Sequence, residues 1–315
     1  MIMEFTEPRS ACPACASTNL HFQCHAIVSP WIWHLSRERK NRLTRYISCK
    51  ECNSTFFDIV FSESLMNALY SDYRGEKYFN IRNSWEPSYT RELNQNLISS
   101  KSWLRSRQEQ IRVALKSASI ELDSIDSVID FGGGHGGVMP PVKNKFLIEI
   151  NKSVATSPDI RVFGSISETK GLKFDLLMCC GVLEHVNSPV DLLFEVSQIN
   201  CQWYLFEVPS GIPKKRRYFS ALRLILIIAS SQKFFWRLIQ ASERKVSFHK
   251  RHLFPLRCSE HLQFFTSLGL LRLLNRSGFE VIGIFSSKTN EDLVNAEKLG
   301  FQDGIIVVAR KSLNF

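Results

Sequence analysis

Short apolar runs alternate with polar segments through the second half of the chain, and this alternation predicts a layered α/β fold. Five runs have the length and the β-branched or aromatic content of buried strands. They lie at residues 128–131, 146–150, 159–163, 174–178 and 203–208. Two later runs, residues 279–285 and 304–309, predict an antiparallel pair that closes the sheet.

The first half of the chain has a different pattern. Residues 55–61 predict a strand, and apolar side chains at helical spacing predict one helix over residues 93–117. Residues 70–89 between them are rich in Tyr and Trp. This aromatic stretch is interpreted either as a packed connector or as one wall of a substrate pocket, because aromatic rings stack on sugars and other rings.

A cluster of glycines follows the strand at residues 128–131. The spacing is Asp130, Gly132, Gly134 and Gly136, which differs from the dinucleotide pattern G-x-G-x-x-G. Glycine permits backbone angles that a Cβ forbids, so a ligand can lie against the main chain. Glu149 ends the next predicted strand, where an acid roughly 20 residues further on commonly binds ribose hydroxyls. A ligand with an adenosine end and a cationic or zwitterionic tail is therefore predicted.

Together with the run at residues 174–186, these residues resemble class I S-adenosylmethionine (SAM) methyltransferases over about residues 120–310. The resemblance implies a Rossmann-like sheet and methyl transfer from SAM to an oxygen, nitrogen or carbon nucleophile. It also implies that Asp130, Gly132, Gly134 and Glu149 contact SAM. Pro140 and Pro141 come soon after the glycines, so the helix that usually follows is expected to shrink to about one turn.

Two further residues are assigned to SAM by their places in this pattern. Ser165 stands just after the third strand, where related proteins often have an acid facing the adenine, and it is predicted to hydrogen-bond the adenine. Cys179 falls at the end of the fourth strand and is predicted to lie beside the SAM sulfonium. A buried core thiol is the alternative interpretation of Cys179.

Two histidines are candidates for the base that removes the proton of the methyl acceptor. His261 is the first candidate, because related proteins carry a His-x-x-Phe-Phe sequence there near the active site. His185 is the second, since an imidazole titrates near neutral pH. Its segment is predicted to be the next helix. Capping or packing is the alternative role of His185, and a contact at the start of a helix is the alternative role of His261. A metal at Glu184 and His185 is not expected: quinone-pathway relatives that hold one use Glu-x-x-Glu-His, whose first position is Gly181 here.

Two C-x-x-C pairs near the start of the chain predict a zinc site. Cys12, Cys15, Cys49 and Cys52 supply four thiolates, which is the ligand set of a closed structural zinc centre. The adjacent pair at residues 24–25 could replace one ligand. A zinc ribbon ahead of a SAM domain also resembles, more loosely, sugar methyltransferases of bacterial glycan and antibiotic pathways, and this implies a role in polysaccharide biosynthesis.

The positive charge of the chain is concentrated in one stretch. The formal net charge is +10, and residues 212–257 contain twelve Lys and Arg against one acid, Glu243. The same stretch carries a long apolar run, so it is interpreted as a basic amphipathic insertion. It is expected to form a lid over the SAM pocket or to lie in a membrane interface. RNA is the less favoured partner, because the cations are interleaved with apolar residues.

The totals are those of a globular protein: 315 residues, of which 44% are hydrophobic and 22% charged. The sequence has no signal-peptide pattern and no spanning apolar run, so a cytoplasmic location is expected, with peripheral contact at the inner face of the membrane if the insertion binds lipid. Five segments are predicted: a zinc-ribbon domain (1–62), a helical connector (63–118), a SAM-binding part (119–211), the insertion (212–257) and a closing part (258–315).

The predicted function is SAM-dependent methyl transfer to a small molecule or glycan, with a nucleotide sugar or a lipid-linked saccharide as the acceptor. Two alternatives are carried forward. A zinc-ribbon RNA methyltransferase would show binding that falls steeply with salt. A binding protein with a degenerate SAM fold is the other, and it is suggested by the shortened first helix and by Ser165 in place of an acid.

Overall fold

The computed structural model describes residues 9–36, 43–150, 157–209, 233–245, 256–286 and 304–312. Two sheets and eight α-helices occur in this part of the chain. The helices are α1 (Pro30–Ser36), α2 (Glu63–Tyr70), α3 (Glu76–Trp85), α4 (Arg91–Ser99), α5 (Lys101–Ser117), α6 (Pro189–Ser197), α7 (Lys233–Lys245) and α8 (Ser267–Arg276).

The larger sheet confirms the predicted α/β fold. Its strands are β4 (Ser127–Phe131), β5 (Asn144–Ile148), β6 (Ile160–Phe163), β7 (Phe174–Cys180), β8 (Cys201–Pro209), β11 (Phe279–Ser286) and β12 (Gly304–Lys311). They are ordered β11-β12-β8-β7-β4-β5-β6. The five strands from β8 to β6 are parallel, and β12 runs antiparallel to both β8 and β11. The last strand along the chain therefore inserts in reverse between two earlier ones.

Successive side chains of a strand point to opposite sides of the sheet, so each face has its own set of apolar residues. Different helices cover the two faces. In β7, Leu176 and Met178 belong to a core cluster that includes Ile111 and Leu115 of α5. Residues 177 and 179 of the same strand belong to the other cluster, which includes side chains of α6 and α8. The near-continuous apolar character of the central strands follows from burial on both faces.

The smaller sheet joins the N-terminal region to a later part of the chain. Its order is β10-β3-β2-β1-β9, with β1 (Leu20–Val28), β2 (Leu43–Cys49), β3 (Thr55–Phe57), β9 (Leu256–Cys258) and β10 (Gln263–Phe264). β9 pairs with β1 in parallel, and β10 pairs with β3 antiparallel. The predicted boundary after residue 257 is therefore not a structural break, since residues 256–264 extend the N-terminal sheet.

Three details differ from the sequence-based expectations. The single helix predicted over residues 93–117 is two helices, because the chain is extended at Ser100 (ψ 108°) between α4 and α5. Turns, with no helix, connect β4 to β5, so the predicted one-turn helix is absent there. The strand predicted over residues 55–61 ends at Phe57.

Most of the predicted insertion lies outside the described residues, but α7 belongs to it. Its Trp236 is buried in the N-terminal core, and Arg237 donates two hydrogen bonds to the backbone carbonyl of Ser84, at 2.7 and 3.0 Å. None of the helices in the described ranges is long and apolar enough to cross a membrane.

Candidate functional site

One large cavity lies at the carboxyl ends of the parallel strands. Its volume is about 1270 Å³, above the roughly 300–1,000 Å³ typical of a single small-ligand site. The loop after β4, the end of β5 and the ends of β7 and β8 line it on the sheet side. Residues of α2, α5 and the segment 260–261 line it on the other side. A cavity of this size has room for a cofactor and an acceptor together.

The glycine loop after β4 is shaped by positive backbone angles. Gly132, Gly134 and Gly136 have φ values of 68°, 57° and 69°, a region that favours glycine. Gly133 is required for a different reason, since a Cβ there would lie 1.9 Å from a carboxylate oxygen of Asp130. The loop is held from behind by Gln108 of α5, whose amide donates to the carbonyls of residues 137 and 139, each at 3.0 Å.

Asp130 lies directly beneath this loop. Its side chain is buried, and neither carboxylate oxygen has a hydrogen-bond partner among the described residues. Burial raises the pKa of Asp130 to about 7; the positive charge of Arg107 opposes this shift, and Glu149 and Glu207 add to it. A buried carboxyl group without partners is costly unless a ligand supplies donors. The site therefore fits a ligand that carries N–H groups.

Glu149 follows β5 and faces the same cavity. One of its oxygens accepts a hydrogen bond from the backbone N–H of Gly134 at 3.2 Å, and the other accepts from the N–H of Ile150 at 2.9 Å. These contacts hold the carboxylate beside the glycine loop. An acid in this place can accept hydrogen bonds from two ribose hydroxyls. The predicted partners Asp130, Gly132, Gly134 and Glu149 are thus brought together.

The other two predicted SAM contacts have different outcomes. Ser165 lines the cavity, and its hydroxyl is hydrogen-bonded to that of Ser167 at 2.8 Å. Cys179 is fully buried in the core and does not line the cavity, whereas Cys180 does. The reason is the alternation of side chains along β7. The structure therefore places Cys180, not Cys179, in the position predicted for a residue beside the sulfonium.

An ion pair in the cavity was not predicted from the sequence. Arg107 of α5 contacts Glu207 of β8, both side chains are largely buried, and both line the cavity. The Nε of Arg107 has no partner among the described residues. The pattern of α5 indicated only a charged, solvated face, and nothing in its spacing distinguishes Arg107 from the exposed arginines nearby. Arg107 is a cation that a bound carboxylate could reach.

The two candidate histidines lie against each other on the cavity wall. The ring centroids of His185 and His261 are 4.6 Å apart with the planes at 83°. His185 lies in a turn before α6, so the prediction that it lies on a helix is wrong. The turn is held to the later segment by hydrogen bonds: Leu262 N–H donates to the carbonyl of Glu184 at 2.8 Å, and the Gln263 amide donates to the Leu183 carbonyl at 2.6 Å.

Burial controls the charge of these side chains. It lowers the pKa of His185 well below its usual value and lowers that of His261 to about 4, so both imidazoles are neutral at pH 7. Burial raises the pKa of Glu184 to about 8 and that of Glu260 to about 7. Glu260 accepts hydrogen bonds from the hydroxyl of Tyr78 and from Arg82 at 2.8 Å, and it lines the cavity beside the histidines.

The four cysteines predicted to bind zinc form one cluster. The sulfur atoms of Cys12 and Cys52 are 3.6 Å apart, those of Cys15 and Cys49 are 3.5 Å apart, and all four lie within 4.8 Å of one another. These separations exclude disulfides. They match a tetrahedral centre with Zn–S bonds of about 2.3 Å, whose sulfurs would be about 3.8 Å apart. The cluster therefore fits a zinc ion held by four thiolates.

The strand order of the larger sheet, its reversed last strand and the glycine loop after β4 together decide the fold class. This is the Rossmann-like fold of class I methyltransferases. No family model matches the chain, and no curated protein matches it.

Several solved structures similar to the chain are methyltransferases. A SAM-dependent methyltransferase from Thermotoga maritima is 17% identical over 68% of this chain and 94% of that chain, with a TM-score of 0.38. The mitomycin 7-O-methyltransferase is 17% identical over 73% and 60%, with a TM-score of 0.40. The magnesium protoporphyrin IX methyltransferase of Synechocystis PCC 6803, with bound S-adenosylhomocysteine (SAH), is 16% identical over 66% and 84%, with a TM-score of 0.37. These similarities are too distant to identify a substrate.

Proposed function

We propose that this chain transfers a methyl group from SAM to a small-molecule acceptor. The observation that carries the proposal is the convergence of a glycine loop, a carboxylate beside it and an unpartnered buried carboxyl beneath it on one cavity. SAM would supply a methyl group whose bond to the sulfonium breaks as the acceptor attacks it in line, with SAH as the leaving group. The protein aligns the two molecules and excludes water from them.

Different residues of the cavity bind different parts of the cofactor. Glu149 binds the two ribose hydroxyls, and Ser165 with Ile166 binds the adenine. Asp130 lies under the loop that receives the amino-acid end, where the ammonium group would stabilise the ionised form of its carboxyl group. Arg107 supplies the cation for the carboxylate of the same end. Support for these roles comes from their common placement on the cavity wall.

The acceptor that we propose is a nucleotide sugar or a lipid-linked saccharide. The cavity extends beyond the glycine loop to a wall that contains the aromatic rings of Tyr70, Tyr73 and Trp103 and the guanidinium of Arg74. Aromatic rings stack on sugars, and a guanidinium binds phosphate oxygens. His261 and His185, which are neutral at pH 7, face the same space and are the candidates for the base that accepts the acceptor's proton.

The zinc ion has a structural role in this proposal. The four cysteines form a closed ligand set, which leaves no position for a substrate. Cys49 ends β2, and Thr266, immediately before α8, donates a hydrogen bond to the carbonyl of Cys52 at 2.5 Å. Zinc at this cluster would therefore hold the N-terminal sheet against the α/β domain.

For a lipid-linked acceptor, we propose that α7 contacts the membrane surface. Phe234, Phe235 and Leu238 are exposed on this helix, while Trp236 and Ile239 are buried on its other side. Exposed apolar residues on a helix with basic neighbours are typical of an interfacial contact. Co-sedimentation with anionic vesicles tests it: the wild type should pellet with them and Phe234→Ser/Phe235→Ser should not. Equal recovery of both proteins in the supernatant contradicts this part of the proposal.

The activity itself is tested with SAM labelled in its methyl group. The protein is incubated with nucleotide sugars, a lipid-linked saccharide or structured RNA, and label in the acceptor is counted. We expect label in a nucleotide sugar or in the lipid-linked saccharide, and we expect this transfer to be lost in Glu149→Gln. Transfer to RNA alone would replace the acceptor proposed here. Binding of SAH with no transfer to any class would contradict the proposed acceptor but leave the SAM site intact.

A further inference from the structure

Three potential ligand groups meet on the cavity wall, away from the four cysteines. A carboxylate oxygen of Glu184 and one ring nitrogen each of His185 and His261 all lie within 4.8 Å of one another. All three residues line the cavity. Glu184 is only 2% exposed, and its Oε2 has no hydrogen-bond partner among the described residues. A buried carboxylate without a donor needs a cation or a proton to be stable.

The hydrogen bond of His185 fixes which of its nitrogens is free. Its Nδ1 lies 3.1 Å from the backbone carbonyl oxygen of Glu260. A carbonyl only accepts, so Nδ1 carries the hydrogen and the Nε2 of the neutral ring has a lone pair. That lone pair faces Glu184 Oε1 at 3.7 Å, which is too long for a hydrogen bond between them. When Glu184 is ionised, two acceptors therefore face each other, and the N–H that points to a carbonyl is the usual arrangement of a metal-binding histidine.

We propose that Glu184, His185 and His261 bind a divalent transition-metal ion in the cavity. Two neutral imidazoles and one carboxylate suit zinc or iron better than magnesium or calcium, which prefer oxygen ligands alone. Three protein ligands leave coordination positions open, unlike the closed set of four cysteines. Because the three residues line the cavity, an ion held by them would be accessible to an acceptor oxygen.

A metal at this place changes the role of His261. A ring nitrogen that binds a metal cannot accept a proton, so His261 and His185 would hold the ion instead of acting as bases. The ion would act as a Lewis acid on an acceptor oxygen and fix its position; a hydroxyl bound there would have a lowered pKa and would release its proton to water, and a carboxylate would bind already ionised. The favoured acceptors are then those with an oxygen beside the atom that is methylated. Metal binding itself is independent of the proposed methyl transfer, because it can be counted without SAM.

The test counts zinc. The full chain is dialysed against a weak chelator, exposed to excess Zn²⁺, passed through a desalting column and analysed for zinc per chain. The wild type should retain two ions. His261→Ala and Glu184→Gln should retain only the ion at the four cysteines, and Cys12→Ser/Cys52→Ser should retain only the ion in the cavity. The control His21→Ala, which changes an exposed histidine of β1, should retain two. One ion in the wild type, or an unchanged count in His261→Ala, would overturn the proposal.

A second measurement needs no variant that could misfold. Protein whose cysteine site is already filled with Zn²⁺ is titrated with Co²⁺, and the visible spectrum is recorded. Nitrogen and oxygen ligands should give d–d bands without the intense sulfur-to-metal charge-transfer band that thiolates produce. The absence of any new band at saturating Co²⁺, or bands with thiolate charge transfer alone, would contradict a second site. SAH binding to the same sample shows separately whether the SAM site is intact.

Discussion

The carboxylate of Glu149 accepts a hydrogen bond of 3.2 Å from the backbone N–H of Gly134, so the acid after β5 and the glycine loop after β4 form one surface. If this surface binds the ribose, Glu149→Gln should weaken SAH binding about 10- to 100-fold, because hydrogen bonds to a charged group contribute about 1.5–3 kcal/mol. Calorimetric titration with SAH measures the change. The control is Asp159→Asn, an exposed acid paired with Lys145, which should bind as the wild type does. Equal affinity for SAH in all three proteins would show that Glu149 does not contact the ligand.

The contact between Gly133 and Asp130 leads to a second prediction. In Gly133→Ala the added Cβ would meet the Asp130 carboxylate, so the loop or the acid must move. We expect a loss of about 1–3 kcal/mol in the free energy of unfolding, as for other overpacked positions. Adding Asp130→Gly removes the obstacle and should return part of that loss. Urea denaturation of the single and double variants checks this, and equal, additive losses would argue against the contact.

Burial of Asp130 makes folding depend on pH. Its folded pKa of about 7 lies above the ordinary value of 3.8, so the folded state favours the protonated form. The contribution of the protonated Asp130 to the free energy of unfolding is fully present below about pH 4 and is lost as the pH rises toward 7. The side chain of Asp130→Asn cannot ionise. Its free energy of unfolding should therefore rise by a few kcal/mol relative to that of the wild type between pH 4 and pH 7. Denaturation at the two pH values measures the difference. A constant difference would mean that Asp130 does not titrate in this range.

If the four cysteines bind zinc as proposed, its removal should loosen the N-terminal sheet. The cysteine cluster packs with Phe56 and Phe265 in the core shared with the α/β domain. Structural zinc sites contribute folding free energy directly, about 10–16 kcal/mol in small peptides. We expect Cys12→Ser/Cys52→Ser to lose the zinc of the cysteine cluster and to melt well below the wild type, and Cys201→Ser, a half-buried thiol of β8, to do neither. Wild-type protein that contains no zinc, with a melting temperature unaffected by a chelator, would contradict the assignment.

Periodicity and glycine chemistry predicted the α/β domain because both are local signals. Each strand from β4 to β8, each strand of the closing pair, and each of the two acids is recognised from a segment of only a few residues. What the sequence did not reveal depends on contacts between distant segments. Gly181 in place of a glutamate argued against a metal near Glu184, yet hydrogen bonds from Leu262 and Gln263 to the carbonyls of residues 183, 184 and 186 bring His261 to the same point.

The same limit explains the other differences. Arg107 has the spacing of a solvated residue on an amphipathic helix, and only the packing of α5 against one face of the sheet places its side chain at the cavity. Cys179 and Cys180 are adjacent on β7, so one side chain points into the core and the other into the cavity. A shift of one residue in the predicted alternation of the strand exchanges their places. Likewise, β9 and β10 are too short to be predicted from pattern, and the partners β1 and β3 make them strands.

Direct titration of the purified wild-type chain with SAH is the most decisive measurement, because every role proposed for the cavity depends on it. The account predicts heat of binding at one site per chain, and a higher melting temperature in the presence of SAH. The absence of both heat and stabilisation, in protein shown to be folded by its circular dichroism spectrum, would contradict the account.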